Sequence, residues 1–220
     1  INDGDIYTTG LTTGFREEFL ALGGEIAFEG SVTRNDPNMA PFLTAVKNSG
    51  AELIFFPLFQ PDGNALLQQG KRTPGFEDMV FMSDGSLIDA SFLDAVNEDA
   101  LGMYFVGPTP PAPSAEVARL AAEYLARYGS AAPTMYYISA FDAANILFAA
   151  LEKTARTLPD GSLRIGRQAL RDAMYGTSGF QGVSGELTCD SFGDCAGQRF
   201  NVLRLDDLKA GIDGLKRNIV

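Results

Sequence analysis

The run Glu52-Leu-Ile-Phe-Phe-Pro-Leu-Phe59 is almost continuously apolar and constrains the fold more than any other stretch. A strand with apolar residues on both faces must be covered on both, which is the situation of a parallel sheet between helices. Met79–Met82 repeats the pattern and ends in Ser83-Asp84-Gly85. Around these strands the spacing changes. Residues 9–22 place Phe15, Phe19, Leu20 and Leu22 at helical intervals, ended by Gly23-Gly24, and Glu25–Val32 reads as a short strand. Met39–Asn48, with Phe42, Leu43 and Val46, predicts a helix closed by Gly50. A helix from about Pro61 to Lys71, another over 88–97 and a strand over Gly102–Val106 follow. Alternating strands and helices predict βαβ units and a mainly parallel sheet, of α/β class. Such sheets hold ligands outside the carboxyl ends of their strands. Those ends are Asp3–Tyr7, Phe59–Asp62 and Ser83–Ser86.

Composition narrows the chemistry. Lys and Arg number 17 against 28 Asp and Glu, a formal charge of −11, so a counterion-displacing surface for nucleic acid is not expected. The chain has 0 histidines, which removes Ser/His and Cys/His nucleophile pairs and imidazole zinc sites. Its 2 cysteines cannot form a four-thiolate centre, and no metal or cofactor is expected. No run approaches the roughly 18 apolar residues of a membrane-spanning helix. Ile1-Asn2 leads straight into Asp3-Gly4-Asp5, as though a strand were cut just before its end, so a processed chain or a piece of a longer one is expected.

Four prolines within Gly107–Pro113 make a stiff connector. Beyond it, Ser114–Tyr128 predicts a helix capped by Ser114. A longer helix begins near Thr134 and runs through Lys153, and Arg164–Met174 is a third. This stretch has no convincing buried strand; residues 183–188 and 199–205 read as strands flanking the loop that holds Cys189 and Cys195. Those cysteines are either a small disulfide, which implies an oxidising compartment, or two unrelated thiols. The polar, turn-rich segment between them and the absence of other thiols favour the disulfide, and with it an exported protein.

Several residues carry two readings each. Asp84 directly follows a buried strand: it is either the N-cap of the next helix or a fixed anion that receives an ammonium group. Phe55, Phe56 and Phe81 read as core, whereas Phe59, at the carboxyl end of its strand, can face a cleft. Tyr136-Tyr137 either pack against the connector or line a cleft. Asp3-Gly4-Asp5 with Thr8 matches part of an aspartyl phosphatase pattern, whose bland alternative is a turn feeding a helix.

Taken in order, several segments resemble the type 1 periplasmic binding proteins, closest to the leucine/isoleucine/valine-binding receptors of ABC importers. They are Ile1–Leu11, Ala21–Ile26, Asp36–Ala51, the Glu-Leu-Ile-Phe-Phe run before Phe59, and Phe81–Gly85. Leu101–Val106, Tyr136 through Ala144, and Gly182–Leu187 followed by Phe192-Gly-Asp194 continue the series. Each is weak alone; eight in order cover essentially the whole chain. The resemblance implies lobes with three-layer α/β/α parallel sheets and no catalytic step. The receptor would close on an α-amino acid, aliphatic or branched-chain, in an inter-lobe cleft and deliver it to membrane permease subunits. Residues 1–105 and 198–220 would form the second lobe and 106–197 part of the first, with crossings near 105–113 and 189–198. The N-terminal part of the first lobe would be missing, so the chain is expected to be a fragment whose missing N-terminal segment is its structural partner. The implied location is periplasmic or extracellular, with a lipid anchor conceivable on the absent N-terminus. Carried over by position, Tyr7, Phe59, Asp84 and Tyr136 contact the ligand. Asp84 pairs with the ammonium, Tyr136 covers the ligand from the first lobe, and Phe59 stands where tyrosine is frequent. Relatives for aromatic acids often lack the acidic residue, so Asp84 favours an amino acid. A ligand-sensing ectodomain of a signalling receptor is the alternative within the fold, and the phosphatase built on Asp3 and Asp5 the alternative outside it.

Overall fold

The computed structural model describes residues 1–195 and 200–220 and divides the chain into two compact units, Ile1–Pro108 with Phe200–Val220, and Thr109–Arg199. Unit 1 starts with α1 (Ile6–Ala21), α2 (Ala40–Ser49), β1 (Leu53–Phe55), α3 (Asp62–Lys71), β2 (Val80–Ser83), α4 (Ala90–Val96) and β3 (Tyr104–Pro108). Unit 2 holds α5 (Ala115–Tyr128), α6 (Tyr136–Thr154), β4 (Arg156–Thr157), β5 (Leu163–Arg164), α7 (Arg167–Tyr175), β6 (Phe180–Gly182) and β7 (Gly185–Leu187). The chain returns to unit 1 with β8 (Phe200–Arg204) and α8 (Gly211–Arg217).

The sheet of unit 1 has the order β1-β2-β3-β8. The first three strands are parallel, and β8 runs antiparallel to β3 from Tyr104↔Arg204 to Pro108↔Phe200. Pro108 thus ends a strand despite its missing N–H, at a ladder terminus where the loss is tolerated. The predicted strand Glu52–Phe59 forms a ladder only over Leu53–Phe55. Pro57 has no N–H to contribute, and the Leu58 N–H turns back to the Phe56 carbonyl at 2.8 Å. The predicted strand Glu25–Val32 is not a strand: among the described residues it makes a single parallel bridge, Ser31 to Asn2. Of the predicted strand 199–205, residue 199 lies outside the described residues, as does part of the crossing expected near 189–198.

Alternation along the strands turns large side chains into one core. Phe56, Phe81, Phe92 and Phe105 are fully buried with Leu43, Leu66, Leu67 and Met103. Each such side chain is worth roughly 1.5–3 kcal/mol of burial. Phe92 of α4 meets Phe105 edge-on at 6.1 Å. Helix α3 lies so near β2 that a Cβ at Gly70 would sit 2.7 Å from the Phe81 ring. Helix α2 ends at Gly50, whose φ of 75° is the left-handed conformation that a helix stop of this kind requires.

Unit 2 is mostly helical, and among the described residues its strands pair as two-stranded ribbons, β4 with β5 and β6 with β7. The Ser114 hydroxyl caps α5, accepting from the Val117 N–H at 3.1 Å, as its position predicts. Among the described residues the apolar side chains buried here are Leu120, Ile138, Ile146, Ala150 and Leu187, while Leu125, Phe148 and Leu163 are exposed. Asp142 is buried in α6 and takes hydrogen bonds from the Val183 N–H (2.7 Å) and Ser184 N–H (2.8 Å), pinning the β6–β7 turn. Cys189 and Cys195 are joined in a disulfide, and the free-thiol reading falls.

Candidate ligand-binding site

Strand β2 ends at Ser83 and delivers Asp84 to the carboxyl edge of the sheet, where the residue is only 5% exposed. Of its two readings, the helix cap is not realised. The 3-10 turn Gly85–Leu87 receives no capping bond from the Asp84 side chain, and α4 is capped by Asp89, which accepts from the Ser91 N–H at 2.8 Å. The Asp84 carboxylate is instead held by hydroxyls. Ser86 Oγ donates to Oδ1 at 2.7 Å, and the Tyr7 hydroxyl makes a short bond to Oδ2. Ser83 Oγ lies 3.4 Å from Oδ1, but its single proton is better placed toward the Phe56 carbonyl at 2.8 Å. A carboxylate offers about four acceptor positions, and two strong donors occupy about half of them.

Tyr7 reaches Asp84 because α1 begins where it does. Asp5 caps the helix by accepting the Tyr7 N–H at 2.9 Å, which places Tyr7 in the first turn, facing the carboxyl edge. Its ring lies 5.3 Å from that of Phe59 at an interplanar angle of 34°. Phe59 follows β1 just ahead of α3, and both rings are half-exposed. Three of the four predicted contact residues therefore form one cluster: a buried carboxylate beneath two aromatic rings. Tyr136 belongs to unit 2 as the first residue of α6, where it is half-exposed. Its neighbour Tyr137 packs on Tyr124 of α5 at 5.5 Å. Ser86 was not singled out by sequence reasoning; the signal available was a hydroxyl two residues beyond a carboxylate at a strand end.

Asp3 and Asp5, the pair of the phosphatase reading, have the geometry of its alternative, a turn feeding a helix. Both carboxylates are engaged by Arg34, whose Nη2 lies 3.0 Å from each, and Asp5 is the helix cap. Burial alone would push the Asp3 carboxyl up. Hydrogen bonds from the Thr8 hydroxyl (2.6 Å), the Asp5 N–H (3.0 Å) and Arg34 outweigh it and hold Asp3 below the usual carboxylate range. Among the described residues no group of three or more Cys, Asp or Glu side chains is arranged to hold a metal ion. No described helix is long and apolar enough to cross a membrane.

The sequence model of the family described as "Periplasmic binding protein" matches residues 1–209. The Leu/Ile/Val-binding protein homolog 3 of Brucella melitensis biotype 1 is 23% identical over 209 residues, 95% of this chain and 54% of that protein. The crystal structure of a leucine binding protein, LivK, from Thermotoga maritima superposes with a TM-score of 0.74 at 19% identity, covering 94% of this chain and 56% of that one. A solute binding protein of an ABC transporter from Rhodopseudomonas palustris HaA2, in complex with p-hydroxybenzoic acid, gives 0.72 at 19%, covering 96% and 56%. The chain spans about half the length of these relatives.

Proposed function

Because the chain belongs to the periplasmic binding protein family, we propose that it is the ligand-binding part of an ABC importer's solute receptor and that its ligand is an α-amino acid with an aliphatic side chain. The observation that carries this reading is the state of Asp84: buried, unused as a helix cap, and steadied by Tyr7 and Ser86. A buried carboxylate is costly unless it is paired and hydrogen-bonded, and an ammonium group is the complement for the acceptor positions left over. Tyr7 and Phe59 supply apolar surface beside it. Unit 1 is assigned as the second lobe and unit 2 as part of the first, and Tyr136 is assigned as a further ligand contact on the family resemblance. The role is binding without catalysis, in the periplasm or outside the cell, with permease subunits as the receiving partner.

An aromatic acid is the second reading, favoured by the neighbour that holds p-hydroxybenzoic acid and by the Tyr7–Phe59 ring pair. A ligand whose only charge is a carboxylate would be repelled by Asp84, so the amino acid is preferred. Calorimetric titration of the full-length gene product with leucine, isoleucine and p-hydroxybenzoate tests the choice. Truncating one member of a buried charge pair costs about 2–5 kcal/mol, so Asp84→Ala should weaken amino-acid binding by about 30-fold or more at tenfold per 1.4 kcal/mol. Binding of an amine-free ligand should change little. Amino-acid affinity unchanged in Asp84→Ala, or tight p-hydroxybenzoate binding with none of leucine, would refute the proposal.

A further inference from the structure

The stretch that joins β1 to Phe59 leaves one buried acceptor short of a proton. The ladder between β1 and β2 closes with the Phe56 N–H on the Met82 carbonyl at 2.9 Å, and Pro57, which has no N–H, cannot continue it. Leu58 is fully buried. Gly63, in the first turn of α3, lies so close that a Cβ there would sit 3.1 Å from the Leu58 carbonyl oxygen. Among the described residues the one donor near that oxygen is the Ser86 hydroxyl, at 3.2 Å. A buried carbonyl without a proton costs about as much as a lost hydrogen bond.

Ser86 cannot serve both of its neighbours, because a serine hydroxyl carries one proton. Asp84 Oδ1 lies 2.7 Å from Ser86 Oγ, inside the usual O–H···O range of about 2.5–3.0 Å, and the Leu58 carbonyl at 3.2 Å lies outside it. The nearer acceptor is also charged, which makes its bond roughly twice as strong. The proton therefore sits on the Asp84 side. Ser83 offers Leu58 no relief. Its proton goes to the Phe56 carbonyl at 2.8 Å, which also accepts the Leu58 N–H at 2.8 Å. The Tyr7 hydroxyl serves Asp84 Oδ2. Three hydroxyl protons thus face four acceptors: two backbone carbonyls and the two oxygens of Asp84.

We infer that Ser86 is a hydroxyl switch set by the occupancy of Asp84, and through it a specificity-determining residue. The inference rests on the amino-acid reading above. Without ligand the hydroxyl donates to Asp84 Oδ1. An ammonium group brings up to three protons of its own to the carboxylate and offsets its charge. Asp84 then competes less for the Ser86 proton. The hydroxyl turns to the Leu58 carbonyl by rotation about its Cβ–Oγ bond, with the O–H bond itself intact. A ligand whose head group is only a carboxylate brings no protons to Asp84 and leaves the hydroxyl where it was, so the buried carbonyl is satisfied only by ligands that carry donors. The peptide pinned in this way leads directly into Phe59, whose ring lies 5.3 Å from that of Tyr7. Recognition of the ammonium and fixing of the aromatic wall become one event.

Two measurements on the full-length gene product test the switch. Ser86→Ala removes a bond to a charged acceptor from the free site but a bond to a neutral one from the bound site, so it destabilises the free site more. Leucine should therefore bind Ser86→Ala more tightly than the parent, by about fivefold, the equivalent of about 1 kcal/mol. A hydroxyl that only held Asp84 in place would give the opposite sign. In an Asp84→Asn background no charge contests the proton, and adding Ser86→Ala should leave leucine affinity within about twofold. The second measurement follows the Leu58 carbonyl carbon, labelled with 13C and read through the 15N-labelled Phe59 amide. It should move downfield on addition of leucine in the parent and in Ser86→Thr, which keeps the hydroxyl, and stay in place in Ser86→Ala. Leu147-Phe148, the other Leu-Phe pair of this sequence, serves as internal reference. Leucine bound with the Leu58 carbon unmoved, or weaker leucine binding by Ser86→Ala, overturns the inference and leaves the ligand reading standing. Leucine affinity unchanged in Asp84→Ala fails the ligand reading, and the inference falls with it.

Discussion

The Tyr7–Asp84 contact can be weighed apart from any ligand. Tyr7→Phe removes one hydroxyl and keeps the ring that lies 5.3 Å from Phe59. What is lost is one of two strong donors to a carboxylate that is 5% exposed, the other being Ser86 at 2.7 Å. Water cannot readily replace it at that burial, and hydrogen bonds to charged groups are worth about 1.5–3 kcal/mol. Unit 1 should therefore open more easily by that amount, roughly 10- to 140-fold in the opening equilibrium. Amide exchange at β2 and β3 measures this opening for unit 1 by itself, which matters because the two units need not unfold together. A second substitution isolates the pair. In an Asp84→Asn background the Tyr7 hydroxyl meets a neutral acceptor, and its removal should cost only about 0.5–1.5 kcal/mol. The double-mutant cycle should then show a coupling near 1 kcal/mol, above the roughly 0.3–0.5 kcal/mol scatter of independent sites. Exchange within threefold of the parent in Tyr7→Phe, or an additive cycle, would show that the hydroxyl does not hold the carboxylate.

Two further outcomes are expected. Asp3 titrates below its ordinary value in the folded chain, so the stability it confers is full above its unfolded pKa of about 3.9 and is lost as pH falls through the depressed folded value. The stability gap between the parent and Asp3→Asn, measured by urea unfolding, should be constant from pH 7 to about pH 5 and narrow by pH 3; a constant gap throughout contradicts the assignment. In unit 2, a Cβ at Gly182 would lie 2.7 Å from Asp142 Oδ2, so Gly182→Ala should break the bonds to Val183 and Ser184 and speed exchange of their amides at least tenfold, with β2 unchanged. Protection retained at both amides would refute it.

The parts of the fold that depend on a single element's own pattern were legible in the sequence, and the parts that depend on a partner were not. Helices α2, α3 and α5 could be placed because periodicity, a stop at Gly50 and a cap at Ser114 are local properties. Glu25–Val32 has the alternation of a strand, but a ladder needs a neighbour, and among the described residues only Asn2 supplies one. Within β1 the apolar run extends past the ladder because Pro57 has the right hydrophobicity and no N–H. Asp142 shows the same limit at longer range. Phe141-Asp142-Ala143-Ala144 and the Gly182-Val-Ser-Gly turn were visible as separate segments, yet they are two halves of one contact, a buried carboxylate accepting backbone N–H groups 41 and 42 residues away.

Asp84 and Asp142 are both buried carboxylates, and sequence could not tell their work apart. Their donors differ, and the difference supports the proposed role of Asp84. Asp142 takes two backbone N–H groups and the Ser184 hydroxyl from one tight turn, so its acceptor positions are largely spent on fixing that turn. Among the described residues Asp84 is bonded by side-chain hydroxyls, chiefly those of Tyr7 and Ser86, at the edge of a parallel sheet. Hydroxyl donors can rotate, and two of them leave about half of a carboxylate's acceptor positions to something else. Backbone donors fix an anion for structural use; rotatable donors steady one while leaving it able to accept a further partner. The contrast is consistent with the ligand role proposed for Asp84, which lies at the carboxyl edge of the parallel strands where open α/β sheets hold ligands.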